Sequence, residues 1–470
     1  MSDARARAPR PVPDLPLLAS LYVLEAAAWL AVIASYKTPV RSLLTFAPRA
    51  STGVFLVACL ACLAAAAVIV LRYRAGGPHR FGFTLALNLV PALLLLAGGE
   101  MTVRLLSSST PRGLVFGNTV LLPHRWRDVA ARNEATLGRL RSQGSHLAAD
   151  SLLGWVLAAD RQSADGRYSN SVEGIRSAGK GDALAGRRSR HRVALVGDSF
   201  TFGLDVAHEH SWGDRLERAL GADVQVLNFG VEAYGIDQAY VRYLRDVRPW
   251  RPDVVILGLI DHDLYRSMAV YFFVSFPGWD YPFAKPRFVS RGGELALLNA
   301  PLPAPEAIAA ARSIGELPFV EHDPGYRAEA WRWHPLDRSY LHRLLVSKHA
   351  ELTRDTRPSP QEMLALNRDI LRAFVREARA QGTAPIVVYF PSDRNFRALA
   401  RDPRWRSLAQ TMLDDGDIAY IDTTPCLTPL PPADRFPADG RNHLTPRANA
   451  AVATCLRDGV RDTLARTSRR

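Results

Sequence analysis

Val193-Ala-Leu-Val196, followed at once by Gly197-Asp-Ser199-Phe-Thr-Phe-Gly203, sets the architecture expected for the C-terminal half of the chain. Its first four residues are apolar, which predicts a strand buried on both faces, as in a parallel sheet covered by helices. Ser199 then lies between two glycines, which predicts a sharp turn that exposes its hydroxyl group near the N-terminus of a helix. We therefore expect a strand, a turn and a helix in close succession.

Comparable apolar runs recur toward the C-terminus. They are Val193–Val196, Val224–Leu227, Val254–Leu257, Ile386–Tyr389 and Ile418–Ile421. The first three begin 31 and 30 residues apart, the length of a strand-helix-strand unit. Helical patterns separate them: one starts after Ser211 as N-cap, and another covers 361–381 and stops at Gly382. The pattern predicts an α/β fold with a doubly wound, parallel, five-stranded sheet, whose ligands bind beyond the carboxyl ends of the strands.

Polar residues and glycines follow these strands where a ligand is expected. The segments are Gly197-Asp198-Ser199, Asn228-Phe-Gly230-Val231, Gly258-Leu-Ile-Asp261-His262-Asp263 and, before the last helix, Asp439-Gly-Arg-Asn-His443. In the last segment an acid and a histidine share one loop. Thr445 is a plausible N-cap there, and Pro446 suits the first turn of the helix that follows.

These segments resemble, in chain order, the motif blocks of the SGNH (GDSL-type) hydrolase and acyltransferase superfamily. Gly197-Asp198-Ser199 resembles the nucleophile block, Gly230 the glycine block, and Asp439 with His443 the terminal acid–histidine block. The resemblance covers roughly residues 170–464. It includes Asn170-Ser171 and Gly174-Ile-Arg176, which are similar to a segment that precedes the nucleophile strand in bacterial members. It implies an SGNH-like (flavodoxin-like) fold.

The resemblance implies a role for each matching residue. Ser199 would attack an ester carbonyl, His443 would remove its proton, and Asp439 would hold the imidazole in the right tautomer. The N–H groups of Ser199 and Gly230, with the His262 side chain, would stabilise the oxyanion. No cofactor or metal is expected.

Two features depart from the family pattern. Asp439 precedes His443 by four positions rather than the usual three, so Asp434 stays open as the orienting acid. The third block normally supplies an asparagine to the oxyanion hole. Here Asp261 or His262 holds that place, and an anionic Asp261 would oppose the oxyanion, which favours His262 or a missing donor.

The N-terminal residues are far more apolar than the rest of this chain of 470 residues. Residues 15–36, 53–71 and 81–99 are each long enough to cross about 30 Å of hydrocarbon as a helix. They predict a membrane domain over 1–105, a connecting region over 106–190 and a catalytic domain over 191–465, with an insertion at about 264–360. The basic flanking residues favour, by a narrow margin, an extracytoplasmic catalytic domain.

The charge and the cysteines limit the kinds of partner and site that the sequence predicts. The formal net charge is +13, but no long basic run gathers it, so we expect no binding of nucleic acid. Cys59 and Cys62 lie within an apolar stretch and are interpreted as small apolar filling rather than a redox or zinc pair. If the C-terminal part is periplasmic, Cys426 and Cys455 could form a disulfide.

The leading hypothesis is a serine esterase or O-acyltransferase anchored in the bacterial inner membrane, with its catalytic domain in the periplasm. Its partners would be the lipid bilayer, an acyl ester of a glycan or lipid, and envelope polysaccharide machinery. The alternative is a catalytically silent domain that binds glycan or scaffolds such machinery. The aromatic residues Trp279, Tyr281 and Trp331 of the insertion either bind carbohydrate or form a local core.

Overall fold

The structure is a computed structural model, which describes residues 14–37, 50–142, 144–279, 281–352, 358–439 and 442–467. The chain forms two compact units, one of Met1–Arg125 and Glu329–Asp355, the other of Trp126–Ala328 and Thr356–Arg470. This division differs from the predicted bounds. Residues 126–190 belong to the sheet-containing unit, and 329–355 of the predicted insertion belong to the unit of the N-terminal helices.

The strands are β1 (Ser107–Thr110), β2 (Gly113–Phe116), β3 (Thr119–Val120), β4 (Leu147–Asp150), β5 (Gly154–Leu157), β6 (Ser169–Asn170), β7 (Arg176–Ser177), β8 (His191–Gly197), β9 (Val224–Asn228), β10 (Val254–Leu259), β11 (Phe288–Arg291), β12 (Glu294–Leu297), β13 (Ala384–Tyr389) and β14 (Tyr420–Asp422). The α-helices are α1 (Leu15–Lys37), α2 (Ala50–Leu106), α3 (Trp126–Ser142), α4 (Ser199–Phe202), α5 (Trp212–Leu220), α6 (Ile236–Arg242), α7 (Asp261–Arg266), α8 (Phe272–Ser275), α9 (Pro305–Ala310), α10 (Tyr340–Leu352), α11 (Pro360–Ala380), α12 (Asp393–Leu399), α13 (Leu408–Asp415), α14 (Thr424–Leu427), α15 (Pro432–Arg435) and α16 (Pro446–Thr467).

The first unit contains the predicted apolar stretches. Residues 15–36 lie in α1, whereas 53–71 and 81–99 lie on the single helix α2, which continues through the residues between them. Within the described residues, no helix meets the length and hydropathy needed to cross a membrane. Glu100 near the end of α2 accepts hydrogen bonds from the N–H groups of Tyr340 (3.0 Å) and Leu341 (2.8 Å), and so caps α10.

The second unit is built on a seven-stranded sheet with the order β14-β13-β10-β8-β9-β7-β6. The five predicted strands all lie in it and pair in parallel, so this part of the fold prediction is confirmed. Strands β7 and β6 extend the sheet in antiparallel orientation. They have two residues each, too few for a recognisable alternation. The order of the parallel strands is that of flavodoxin-like sheets, which reverse between β8 and β10.

The predicted helix signals are found at the helix ends. The Ser211 hydroxyl caps α5, and the Ser359 hydroxyl caps α11, which ends just before Gly382. The Thr445 Oγ1 atom accepts from the N–H of Ala448 (3.1 Å) at the start of α16. Buried apolar residues lie on both faces of the sheet, as expected for a doubly wound fold.

The cysteines fall into two groups. Cys426 at α14 and Cys455 in α16 form a disulfide, with their Cα atoms 6.1 Å apart. The side chains of Cys59 and Cys62 lie outside the described residues.

The aromatic residues of the insertion have different surroundings. Tyr281 packs on Trp155 (5.3 Å between ring centroids) and donates a hydrogen bond to Glu232 (2.8 Å), which makes it part of the core. Trp279 is 43% exposed. Trp331 belongs to the first unit, beside His124.

Candidate active site

Ser199 begins helix α4, directly after the central strand β8. The Asp198 side chain is the N-cap and accepts a hydrogen bond from the N–H of Phe200 (2.9 Å). Gly197 has φ 149°, and a Cβ atom there would lie 2.5 Å from the carbonyl oxygen of Gly258 and 2.3 Å from Thr201 Oγ1. Glycine at this position therefore lets α4 pack closely over the ends of β8 and β10, which places Ser199 at the point where the strand order reverses.

His443 reaches Ser199 from the loop before α16. Its Nε2 atom lies 3.0 Å from Ser199 Oγ. The side chain of Asn449 fixes this loop, because it donates to the carbonyl of Leu444 (3.0 Å) and accepts from the N–H of Trp212 (3.0 Å) in α5. The predicted pairing of Ser199 with His443 thus corresponds to a hydrogen-bond distance in the structure.

The carboxylate at the other imidazole nitrogen is that of Asp205. Its Oδ2 atom lies 2.9 Å from His443 Nδ1. Helix α4 has a single turn and ends at Gly203, where φ is 79°, and Asp205 is also left-handed with φ 71°. This tight reversal returns the chain toward the start of α4, so that Asp205 lies six residues after Ser199 in sequence and close to the same histidine.

The carboxylate at Nδ1 belongs to neither of the two acids considered from the sequence. Asp439, the predicted orienting acid, lies on a turn and is exposed. Asp434, the second candidate, forms an ion pair with Arg447 (2.7 Å) and lies in α15. The geometry therefore points to a third carboxylate, that of Asp205, and the role of Asp439 stays a prediction. The motif offered no signal for it, because Asp205 follows Gly203-Leu204 with no recognisable spacing.

The two backbone groups predicted for the oxyanion hole differ in availability. Within the described residues, the N–H of Ser199 has no hydrogen-bond acceptor, as is usual for the first residue of a helix. The N–H of Gly230 donates to Asn228 Oδ1 at 3.0 Å. A Cβ atom at Gly230 would lie 2.6 Å from the Phe202 nitrogen, which explains the glycine by packing alone. The oxyanion role of Gly230 stays a prediction.

Asp261 and His262 of the third block have different surroundings. Asp261 accepts from the Asn395 side chain (2.7 Å) and from the N–H of Ala409 (3.0 Å), so its carboxylate joins α7 to α12 and α13. His262 lies on the first turn of α7 and is exposed. Although the residue is exposed, partial desolvation of its imidazole ring, followed by the charge of Arg266, lowers the pKa of His262, which favours the neutral ring. Its role as a donor to the oxyanion also stays a prediction.

A buried charge cluster lies directly beside the nucleophile. Arg266 Nη1 bridges Asp198 Oδ2 (3.1 Å) and Asp263 Oδ1 (2.8 Å), with both carboxylates almost fully buried. Burial, followed by the charge of Asp198, raises the pKa of Asp263 well above its usual range. The same Asp198 Oδ2 atom lies 3.4 Å from Ser199 Oγ. Arg266 therefore neutralises negative charge at a place where an oxyanion would otherwise be repelled.

The arrangement supports proton transfer from serine to histidine. If Nδ1–H donates to Asp205, the lone pair of Nε2 faces Ser199 and can accept its hydroxyl proton. Among the described residues, no cluster of histidine, cysteine and acidic side chains could hold a metal ion. The chemistry that these residues can perform is nucleophilic attack by an activated hydroxyl group.

No family model and no curated protein matches the chain. Similar solved structures include a protein assigned to the lipolytic G-D-S-L family of Desulfitobacterium hafniense DCB-2, at 14% identity over 57% of this chain and 98% of that one, with TM-score 0.30. The lipase/acylhydrolase of Enterococcus faecalis matches at 14% identity, 58% and 96% coverage, and TM-score 0.30. The acetylxylan esterase Axe2 of Geobacillus stearothermophilus matches at 14% identity, 57% and 94% coverage, and TM-score 0.30.

Proposed function

We propose that the chain is a serine esterase or O-acyltransferase with Ser199 as nucleophile, His443 as general base and Asp205 as orienting acid. One observation carries the proposal: Asp205 Oδ2, the two imidazole nitrogens and Ser199 Oγ form a continuous series of contacts at 2.9 Å and 3.0 Å. A binding domain has no need of a serine hydroxyl, a histidine and a carboxylate aligned in this order.

The proposed reaction passes through an acyl-serine. His443 Nε2 takes the hydroxyl proton of Ser199 while Oγ forms a bond to the carbonyl carbon of an ester. The N–H of Ser199 faces the developing oxyanion. The tetrahedral intermediate then breaks the bond to the leaving alkoxide, which receives the proton from His443. Water or an acceptor hydroxyl attacks the acyl-serine in the same way, so hydrolysis and transfer differ only in the acceptor.

The substrate and location belong to the same proposal. We propose an acyl ester of an extracytoplasmic glycan or lipid, with the chain anchored by its apolar N-terminal helices in the bacterial inner membrane. The disulfide between Cys426 and Cys455 supports an oxidising compartment such as the periplasm. Envelope polysaccharide machinery is the proposed partner.

Covalent labelling tests the enzymatic proposal. A fluorophosphonate probe should label the wild type at one serine, and Ser199→Ala should abolish both labelling and turnover of an acetyl ester. Ser313→Ala, which removes an exposed hydroxyl elsewhere in the same unit, is the matched control and should label like the wild type. Absence of labelling in a folded wild type would favour the alternative, a silent domain that binds glycan. Wild-type turnover by purified Ser199→Ala would contradict the proposed nucleophile.

A further inference from the structure

Arg176 in β7 is an almost fully buried cation. The residue is 2% exposed, and its Nε and Nη1 atoms have no hydrogen-bond partner among the described residues. Within the same residues, no carboxylate lies in ion-pair contact with it. Burial lowers the pKa of Arg176 to about 10, so the guanidinium still carries its charge at neutral pH. A charged group without an ion-pair partner in the interior is strongly destabilising unless other contacts replace its lost hydration.

The guanidinium group of Arg176 contacts the turn that carries Asp205 and the aromatic rings beside it. Its guanidinium carbon lies 4.2 Å from the centroid of the Phe202 ring and 4.9 Å from that of Tyr168. Such cation–π contacts compensate part of the lost hydration. The Nη2 atom donates a hydrogen bond to the carbonyl of Val206 at 2.8 Å. Val206 is the residue that follows Asp205.

Asp205 needs such support because of its backbone conformation. With φ 71° it is left-handed, a conformation that is unfavourable for residues other than glycine and persists only where neighbouring groups hold it. Its N–H donates to the Tyr168 hydroxyl oxygen at 3.0 Å. Tyr168 and Arg176 therefore hold the chain at the N–H of Asp205 and at the next carbonyl.

We propose that Arg176 and Tyr168 are positioning residues that keep the Asp205 carboxylate at His443 Nδ1. The inference rests on the proposed function and gives a role to Arg176, to which the resemblance assigned none. Arg176 acts through Asp205, so it is a positioning residue and not a catalytic one.

The acidic groups that favour the charged form of Arg176, Glu232 and Glu209, do so without an ion-pair contact among the described residues. Glu232 accepts from His146 (2.8 Å) and from Tyr281 (2.8 Å), and Glu209 is exposed. Tyr168 is neutral, because burial raises the pKa of its hydroxyl group. The guanidinium is therefore held by the Val206 carbonyl and the two aromatic rings, which is why its loss should disturb the turn of Asp205.

Replacing Arg176 should lower the rate of turnover without weakening substrate binding. In Arg176→Met, kcat of ester turnover should fall at least tenfold with KM within twofold of the wild type, because the substitution misplaces the Asp205 carboxylate and not the substrate. Arg176→Lys keeps the charge but loses the planar fork, so its kcat should fall as well.

A matched control and a second variant keep the inference testable. Arg192→Met removes a guanidinium that also packs on an aromatic ring (5.9 Å, Trp250) and donates to a backbone carbonyl, but at the amino end of β8. It should leave kcat unchanged. If Arg176→Met fails to fold, Tyr168→Phe takes its place: it removes only the acceptor for the Asp205 N–H, and its kcat should fall.

The outcomes separate this inference from the proposed function. If the wild type is not labelled by a fluorophosphonate, the proposed function fails before Arg176 is considered. If the wild type is labelled, a folded Arg176→Met enzyme with unchanged kcat, or a Tyr168→Phe enzyme with unchanged kcat, would overturn the inference. In that case Arg176 would be a packing residue only.

Discussion

At the scale of single residues, the identity of the orienting acid is the sharpest test. Asp205 lies 2.9 Å from His443 Nδ1, whereas Asp439 was predicted from its place four residues before His443. Asp205→Asn should lower kcat of ester turnover by roughly a thousandfold or more, because an amide no longer holds the imidazole in the tautomer that accepts the serine proton. The measurement is steady-state turnover of an acetyl ester.

Asp439→Asn is the matched control for this substitution. It makes the same chemical change at an exposed acid of the loop that carries His443, and it should leave kcat within about threefold of the wild type. Melting temperatures of both variants are compared with that of the wild type to exclude unfolding. If Asp439→Asn is the more damaging variant at unchanged melting temperature, Asp439 is the orienting acid and Asp205 is not.

At the scale of secondary-structure elements, the short 3-10 helix His208–His210 contains a histidine that resists protonation. Burial, together with the charge of Arg176, lowers the pKa of His208 to about 4. The His208 imidazole binds a proton near pH 6.5 in the unfolded chain but only near pH 4 in the folded chain. Because the unfolded chain binds more protons between these values, the free energy of unfolding decreases as the pH falls from about 6.5 to about 4. Between pH 7 and pH 5 the loss is about 1 to 2 kcal/mol.

The variant His208→Asn should lose less stability than the wild type over the same interval, because the asparagine does not titrate. The melting temperature of the purified chain at pH 7 and at pH 5 measures this difference. His322→Asn is the control: it removes an exposed histidine from another 3-10 helix, Val320–His322, and should keep the wild-type dependence on pH. Equal loss in His208→Asn and the wild type would show that His208 is protonated in the folded chain.

At the scale of the whole molecule, the side of the membrane on which the sheet-containing unit lies remains a proposal with a direct test. Alkaline phosphatase fused after Arg470 should be active, because it needs disulfides that form outside the cytoplasm. A fluorescent protein that matures only in the cytoplasm should be dark at the same position. The reverse pattern would place Cys426 and Cys455 in a reducing compartment and would contradict the proposed envelope substrate.

Local patterns were sufficient to predict the five parallel strands of the sheet. Continuous apolar runs indicate strands buried on both faces, and the spacing of 31 and 30 residues between the first three leaves room for the crossover helix that a parallel connection needs. The turn at Ser199 follows from the glycines around it, and the caps Ser211 and Thr445 follow from the hydrogen bonds that a helix N-terminus needs. These are interactions between residues that are near one another in the chain.

Tertiary structure alone decided the features that join distant segments. Asp205 becomes the acid at His443, 238 residues away in sequence, because a left-handed turn after α4 and the buried Arg176 hold it there. No spacing rule describes such a contact. The Asn449 side chain likewise fixes the loop of His443 by accepting from the N–H of Trp212, 237 residues away in sequence. Each of these contacts depends on which residues lie next to each other after folding. Composition and periodicity do not contain that information.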